Sequence, residues 1–490
     1  MRRRQALGAA PGRGRGSPLP ALLLALLACG GDPPAPAALP GAGAGAAPAG
    51  PVRAAVSAPD VLLFTVDTLR ADHLGAYGSE LGASPRADAL AARSVVFERA
   101  VAAASVTAPA HASIMTSRWV REHSIGWLNG ATQLVDSPTL AQSFRDAGYQ
   151  TAGFVGNLML QRRLGFHRGF EVFDDDLPDA ESNRPLTFER IAEQTAERAI
   201  AWLGRRSGDA PLFLWVHLQD PHGPYQPPAS FLDRFARPPG ESEPPLPVLD
   251  RDFGLSAIPA YQALPGLTRP SEYRSRYAGE IAYADDWMGR ILDAFDALPR
   301  GPGIVLFTAD HGESLGESYR YFAHGHTTTP EVAHVPLLLR APGLAPGRRP
   351  EVVSHVDVLP TLLELAGLPL PQRTSGIALG PYLRSGRPLP DRLVYCDVGR
   401  ELSAYRRDAF LRVRGTGGAW SRDGAGVDES ALSWSMYAWD GDDSWRRQNL
   451  DGSLKPAVRD YARRAEPLAE APPIDYADIE RLRALGYAIE

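Results

Sequence analysis

Five nearly continuous apolar runs divide the chain between residues 60 and 342. Each run holds seven or eight residues and is bounded by polar or turn-forming residues. Runs of this length and composition are typical of strands that are buried on both faces of a sheet. They read DVLLFTVD (60–67), TAGFVGN (151–157), PLFLWVHL (211–218), GIVLFTAD (303–310) and VPLLLRAP (335–342).

The segments between these runs have apolar residues at helical spacing. Two of them open with Ser-Pro, which is a helix-start signal. The alternation of buried strands with amphipathic helices predicts an α/β fold, in which helices sandwich a mostly parallel central sheet. Ligands of such sheets bind at the C-terminal ends of the strands. The predicted helices lie within 84–94, 137–148, 187–206 and 271–298.

The pattern changes at about residue 390, where short strand-like pieces alternate with Gly and Asp turns. It predicts a small antiparallel α+β subdomain over 391–490, closed by helices at about 455–466 and 476–485. The proline-rich residues 236–271 predict a long surface loop over the sheet edge. The strand-like pieces are RLVYCDV (392–398), AFLRVRG (409–415), GAWSRD (418–423) and SMYAWD (435–440).

The first 58 residues do not belong to this fold. Residues 1–29 combine a basic start with the apolar run LPALLLALLA, which has signal-peptide length. Ala28 directly before Cys29 resembles a bacterial lipobox, so we expect a lipid anchor at Cys29 and a location in the cell envelope. A plain secretory signal, which would give a secreted protein, is the alternative. Residues 30–58 form an Ala/Pro/Gly-rich linker.

The composition is ordinary for a globular protein, with 44% hydrophobic and 22% charged residues. The net charge of −6 gives no reason to expect nucleic acid as a partner. Of the 51 basic residues, only Lys455 is a lysine. Positive charge near any active site must therefore come from arginine, histidine or a metal ion.

Two of the apolar runs end in an acid. Asp67 closes the first run, and Asp310 closes the fourth with His311 next to it. A carboxylate at the end of a buried strand is costly unless something pairs with it. A helix cap would satisfy one such residue. Two acids and an imidazole together fit a shared hard cation such as Ca²⁺, Mn²⁺ or Mg²⁺ better.

The stretch SVTAPAHASIMTSR (105–118) predicts a short helix that starts near Thr107. Pro109 is expected at the first helical position, where the missing N–H costs nothing. Thr107 or a neighbour would then be the N-cap. These residues alone do not decide whether Thr107 is only a cap or also a reactive hydroxyl.

Six motifs stand in order along the chain, namely VDTLRADHLGAYG, TAPAHASIMTSR, DPHGPYQPP, TADHGESLGE, HVPLLLRAPG and HVDVLPTLLELAGL. In content and order they resemble the sulfatase family of the alkaline phosphatase superfamily. The tail, with MYAWDGDDSWRRQNL and ERLRALGY, resembles the same family. The resemblance covers roughly residues 60–490 and implies an alkaline-phosphatase-like catalytic domain at 59–390 that hydrolyses anionic esters.

The resemblance also implies roles for single residues. Asp67, Asp310 and His311 fall on metal-ligand positions, with Ca²⁺ as the expected ion. Thr107 falls on the nucleophile position, which touches that metal, and a hydroxyl at a helix start beside a cation is well placed to attack an ester.

Five histidines fall at positions around the ester. His111 replaces the arginine that follows the nucleophile in sulfatases. His217 and His222 match histidines that contact the ester group, and His324 and His326 lie where sulfatases place a leaving-group lysine. A structural role is the alternative for each of them.

Three departures from the family pattern bear on the chemistry. Thr68 stands where sulfatases have a second aspartate. Thr107 cannot become formylglycine, because its β-carbon carries a methyl group. The D-x-x-x-H pattern of two-zinc phosphodiesterases is missing from DPHGPY, so we expect a single divalent metal.

These features predict a metal-dependent hydrolase of sulfate or phosphate esters, anchored to the membrane through its lipid, that uses Thr107 at one metal ion. The substrate is an anionic ester, with a glycan or a lipid headgroup as candidates. The unmodified threonine also resembles that of phosphoglycerol and phosphoethanolamine transferases, which would make the protein a transferase acting on envelope glycan or lipid. A non-catalytic anion-binding homologue is the third alternative.

Overall fold

A computed structural model of the protein describes residues 58–462, apart from 124, 126–133, 135–136, 185–186, 237–242, 251–254, 416–431, 440–444 and 450–451. Several predictions concern residues outside this range. They are the signal peptide with Cys29, the linker up to residue 57, the strand-like piece at 418–423 and the helix at 476–485.

The described residues form eighteen strands. In chain order they are β1 (Val61–Val66), β2 (Val95–Val101), β3 (Gln150–Val155), β4 (Val172–Asp174), β5 (Asp179–Ala180), β6 (Phe188–Glu189), β7 (Leu212–Leu218), β8 (Ile304–Ala309), β9 (Ser314–Leu315), β10 (Tyr321–Ala323), β11 (His334–Val335), β12 (Leu337–Arg340), β13 (Gly347–Ser354), β14 (Val394–Asp397), β15 (Glu401–Arg406), β16 (Ala409–Gly415), β17 (Leu432–Trp439) and β18 (Trp445–Gln448).

Ten α-helices are present in the same part of the chain. They are α1 (Pro85–Ala91), α2 (Thr107–Thr116), α3 (Leu140–Asp146), α4 (Ala192–Arg205), α5 (Ala229–Leu232), α6 (Pro270–Asp296), α7 (Pro330–Ala333), α8 (Val358–Leu365), α9 (Gly380–Ser385) and α10 (Lys455–Ala462). In the described ranges, no helix combines the length and apolar character that a bilayer-spanning segment needs.

The central sheet has nine strands and a parallel block in the order β8-β1-β7-β3-β4. Beyond β8, strand β12 pairs antiparallel with β8, and β2 pairs antiparallel with β12. Strand β13 pairs parallel with β2. All residues of β1, β7 and β8 are buried, because helices cover both faces of the sheet. The helices form two groups that pack among themselves, with α1, α4, α5 and α6 in one group and α2, α3 and α8 in the other. The predicted α/β sandwich on a mostly parallel sheet is confirmed.

The C-terminal sheet is antiparallel in the order β14-β15-β16-β17-β18. Its inner face packs on the segment around α2, and Tyr405 and Trp439 share an apolar core with Ala110 and Trp119. The second sheet therefore packs against α2 and the segment that leads into it, and supports their position. The predicted C-terminal antiparallel subdomain is confirmed in this part.

Two local predictions need correction. Helix α4 begins at Ala192 and not at Thr187, because Phe188–Glu189 pairs with β5 and the N–H of Ala192 donates to Asp220 Oδ2 at 2.6 Å. The sequence pattern did not predict strand β2, because Glu98 and Arg99 interrupt its apolar run.

The proline-rich residues described between 243 and 269 contain only a three-residue 3₁₀ turn and isolated bridges, as expected for a loop. One of these bridges joins Leu255 to Arg320 in the hairpin of β9 and β10. The loop therefore lies against the segment that leads to His324.

Candidate active site

The candidate site forms where three neighbouring parallel strands end. Strand β1 lies between β7 and β8, with Thr65 opposite His217 and Val66 opposite Ala309. This register places Asp67, at the end of β1, beside the acid and histidine that follow β8. The first turn of α2 closes the site with Thr107. The sheet topology thus brings together residues that are up to 244 positions apart, from Asp67 to His311.

The acidic centre consists of Asp67, Asp310 and His311. Their ligand atoms all lie within 4.8 Å of one another, and all three side chains are fully buried. Asp310 Oδ1 accepts the N–H groups of Thr68 at 3.2 Å and of His311 at 2.7 Å. Asp310 Oδ2 and Asp67 Oδ1 have no hydrogen-bond partner among the described residues. Two buried, unpartnered carboxylate oxygens and an imidazole are a donor set that fits a divalent cation.

His311 is held in the tautomer that a ligand requires. Its Nδ1–H donates to the carbonyl oxygen of Gly312 at 2.9 Å, so Nε2 carries the lone pair. Nε2 lies 3.6 Å from Asp310 Oδ2 and 3.9 Å from Asp67 Oδ1. Burial lowers the pKa of His311 to about 3, so the ring is neutral at physiological pH.

The two carboxyl groups oppose each other's ionisation. Burial raises the pKa of Asp310 well above its usual range, and the charge of neighbouring Asp67 raises it further. Without a cation, only one carboxyl of the pair is readily ionised. A bound divalent cation would remove this conflict, because its charge balances both carboxylates.

Thr107 is not an N-cap. It is the first helical residue of α2, Val106 is the cap residue, and Pro109 is therefore third in the helix. The prediction that Pro109 starts the helix is wrong by two positions, which costs nothing because N–H groups in the first turn have no intrahelical partner. The Thr107 hydroxyl lies 3.5 Å from Asp67 Oδ2 and 3.5 Å from His311 Nε2, so it faces the acidic centre.

His111 lies one turn further along α2 and is fully buried. Its Nδ1–H donates to the carbonyl oxygen of Thr107 at 2.9 Å, and its Nε2 accepts the hydroxyl of Thr65 at 2.9 Å. Burial and the nearby His217 lower the pKa of His111 well below its usual value. Both ring nitrogens are thus engaged, and the neutral ring ties the start of α2 to β1.

His217 and His222 lie at the end of β7 and in the loop that follows it. His217 is fully buried, and its Nε2 is 3.5 Å from Asp67 Oδ2. Neither of its ring nitrogens has a hydrogen-bond partner in the described ranges, and the same holds for Nδ1 of His222. Burial lowers the pKa of His222 to about 3. Both rings can donate hydrogen bonds to an anion that binds beside Asp67.

His324 is brought to the same place by the hairpin of β9 and β10. Its ring centroid lies 4.6 Å from that of His311 and 5.2 Å from that of His222. Burial alone would lower the pKa of His324, but Glu313, whose Oε1 is 3.2 Å from Nδ1, outweighs it and raises the pKa. His326 lies two residues further and is half-buried, and its role remains a prediction.

Two polar residues at this site were missed from the sequence. Glu313 is fully buried, and its Oε2 accepts the Tyr225 hydroxyl at 3.0 Å while Oε1 faces His324. Asn157 donates from Nδ2 to Asp67 Oδ2 at 2.8 Å. The available signals were an acid two residues beyond His311 and an amide as the last residue of the apolar run that contains β3.

The mostly parallel sheet with helices on both faces, and the acid-histidine centre beside a helix-terminal hydroxyl, fit the class of ester hydrolases with an alkaline-phosphatase-like fold. The chain belongs to the sulfatase family, since the family model described as Sulfatase matches residues 59–368. It is therefore a sulfuric-ester or phosphoric-ester hydrolase.

Known relatives agree with this assignment. The chain is 26% identical over 379 residues to an arylsulfatase of Clostridium perfringens, covering 66% of this chain and 77% of the relative. It is 26% identical over 388 residues to human iduronate 2-sulfatase, covering 64% and 70%. Its fold is similar to that of a phosphonate monoester hydrolase of Agrobacterium radiobacter, with a TM-score of 0.61, 21% identity, and coverage of 87% of this chain and 96% of that one.

Proposed function

We propose that this sulfatase-family hydrolase cleaves anionic esters with unmodified Thr107 as nucleophile, at one divalent cation held by Asp67, Asp310 and His311. The observation that carries the proposal is that the hydroxyl of Thr107, the first helical residue of α2, lies 3.5 Å from both Asp67 Oδ2 and His311 Nε2. Ca²⁺ is the expected ion, with Mn²⁺ or Mg²⁺ as alternatives. The cation, when bound, supplies positive charge that favours an ionised hydroxyl and an anionic ester.

The residues around Thr107 divide the remaining work. The ionised Thr107 oxygen forms a bond to sulfur or phosphorus, and the bond from that atom to the ester oxygen breaks. The departing oxygen takes a proton from His324, because Glu313 raises the pKa of this ring and so favours its protonated form. Water then attacks the same sulfur or phosphorus atom, the neutral His324 accepts its proton, and the bond to Thr107 breaks. His217 and His222 orient the anionic oxygens of the ester.

His111 serves in this scheme as a positioning residue, because both of its ring nitrogens are engaged by Thr107 and Thr65.

The Thr107 nucleophile also affects whether the preferred ester is a sulfate or a phosphate. A hydroxyl attacks phosphorus readily, whereas a sulfated threonine lacks the easy elimination open to a formylglycine hydrate. The names of the relatives, arylsulfatase and iduronate 2-sulfatase, favour sulfate esters instead. The proposed substrate is an anionic ester, with a glycan or a lipid headgroup as the candidates that carry it.

One experiment tests the nucleophile and the ester together. The protein is incubated with nitrophenyl sulfate, nitrophenyl phosphate and a phosphodiester, quenched in acid and digested, and the accurate mass of the Thr107 peptide is measured. A phosphorylated or sulfated Thr107 is expected with the preferred substrate. Thr107→Ala should show neither adduct nor turnover, and Thr107→Ser should keep both. Turnover by Thr107→Ala at the parental rate would overturn the proposal.

Two further parts of the proposal concern the reaction partner and the location. If the enzyme is a transferase to envelope glycan or lipid, turnover should depend on an added acceptor alcohol; a hydrolase should release product at the same rate without one. We place the protein in the cell envelope, tethered through a lipid on Cys29 and the linker at 30–58.

A further inference from the structure

A chain of side-chain amides connects Asp67 to the hairpin of β5 and β6. Asn157 Nδ2 donates to Asp67 Oδ2 at 2.8 Å and to Gln219 Oε1 at 2.9 Å. Gln219 Nε2 in turn donates to Glu189 Oε2 at 3.3 Å. Asn157 and Gln219 are both buried, and the backbone of Asn157 forms an isolated bridge with Glu189.

The direction of this chain is fixed by the backbone. Asn157 Oδ1 accepts the N–H of Met159 at 2.7 Å, so the amide nitrogen of Asn157 must face Asp67. With Nδ2 of Asn157 as the donor, Gln219 must present its oxygen to Asn157 and its nitrogen to Glu189. Each of these three hydrogen bonds therefore pairs one donor with one acceptor, and a flipped amide would put two donors or two acceptors together.

These hydrogen bonds give the two carboxylate oxygens of Asp67 different surroundings. Oδ2 is held by Asn157 and has Thr107 Oγ1 and His217 Nε2 at 3.5 Å. Oδ1 has no hydrogen bond in the described part of the chain and lies 3.9 Å from His311 Nε2. The carboxylate is thus fixed in one rotation, with one oxygen bound to protein groups and the other facing the acidic centre.

We propose that Asn157 and Gln219 are positioning residues that aim Asp67 Oδ1 at the divalent cation, with Gln219 acting through Asn157. The inference rests on the proposed cation site. Partners that orient a metal ligand typically contribute ten- to a hundredfold to metal affinity.

The test is a double-mutant cycle on cation affinity, which needs no substrate. Full-length parent, Asn157→Ala, Gln219→Ala and the double variant are stripped with chelator and titrated with Mn²⁺ alone in a calorimeter. Asn157→Ala should raise the dissociation constant by about tenfold or more. Gln219→Ala should raise it by a smaller factor, and the double variant should match Asn157→Ala, because Gln219 acts only through Asn157.

Gln142→Ala is the matched control, since it removes a side-chain amide that hydrogen-bonds in the capping box of α3 and does not contact Asp67. It should bind Mn²⁺ like the parent. Thermal unfolding of the cation-free proteins shows whether each variant is folded. If Asn157→Ala does not fold, Gln219→Ala decides alone, because Asn157 and its bond to Met159 stay in place.

The outcomes separate this inference from the proposed function. Failure of the parent to bind Mn²⁺, Ca²⁺ or Mg²⁺ would overturn the cation site and the inference with it. A parent that binds, together with Asn157→Ala or Gln219→Ala variants that bind equally well, would overturn only the positioning role. Effects of the two substitutions that simply add would overturn the order in which Gln219 acts through Asn157.

Discussion

Asp310→Asn should separate the stability of this protein from its cation binding. The asparagine keeps the oxygen that accepts the N–H groups of Thr68 and His311. It removes the charge that opposes Asp67 across less than 4.8 Å. In the cation-free parent, two ionised carboxylates at that separation would repel by about 3.5 kcal/mol at an effective dielectric constant of about 20. The parent avoids part of this cost by keeping one carboxyl protonated.

The substitution should therefore stabilise the cation-free protein by about 1–3 kcal/mol, which is a part of the repulsion of about 3.5 kcal/mol between two ionised carboxylates. The pH dependence has a definite sign. The pKa of Asp310 is raised in the folded protein above its ordinary value of 3.8, so its stabilising contribution is complete below pH 3.8 and is lost as pH rises through the raised pKa. Asp310→Asn should lack this loss.

Cation addition should have the opposite effect on the two proteins. A cation at one hundred times its dissociation constant should stabilise the parent by about 2.7 kcal/mol. Asp310→Asn should gain little, since half of the neutralising charge is gone. The assay is thermal unfolding in chelator and in Ca²⁺ or Mn²⁺, repeated across pH.

Asp285→Asn provides the control. Asp285 is also buried, with a pKa raised by burial to about 7, but its oxygens accept the N–H groups of Arg86 and Ala87 at the start of α1. This variant should keep the full cation response. The reasoning is refuted if Asp310→Asn is less stable than the parent in chelator, or if it gains as much from the cation as the parent does.

Three further predictions follow from the same site and from the N-terminus. Replacing His324, or His326 if that residue is the acid, with Gln should remove the basic limb of the rate profile and slow poor leaving groups more than nitrophenol; equal slowing of both ester types would count against it. Glu313→Gln should move that limb to lower pH, because Glu313 raises the pKa of His324; an unmoved limb would exclude this role. Cys29→Ser should release the protein from membranes in fractionation, and retention at the parental level would contradict the lipid anchor.

The local sequence was sufficient for the framework of the protein. Continuous apolar runs predict strands that must be covered on both faces, because only full burial removes so much apolar surface from water. The acids at the ends of two such runs indicated a candidate cation site, since a buried carboxylate requires a partner. Asp67, Asp310 and His311 could thus be selected before any strand was paired. Strand β2 shows the limit of prediction from apolar runs. Its charged pair, Glu98 and Arg99, interrupts the apolar pattern, although the residues on either side of the pair are buried in the sheet.

Only the tertiary structure decided what the polar residues around that centre do. The sequence allowed Thr107 to be a cap, whereas the fold turns its hydroxyl towards Asp67, 40 positions away. It allowed His111 to meet substrate, whereas the fold engages both of its nitrogens. Asn157 acquires its role from a partner 90 positions away. Apolar burial follows local composition, but the direction of a hydrogen bond depends on partners that only the folded chain brings within 3 Å or so.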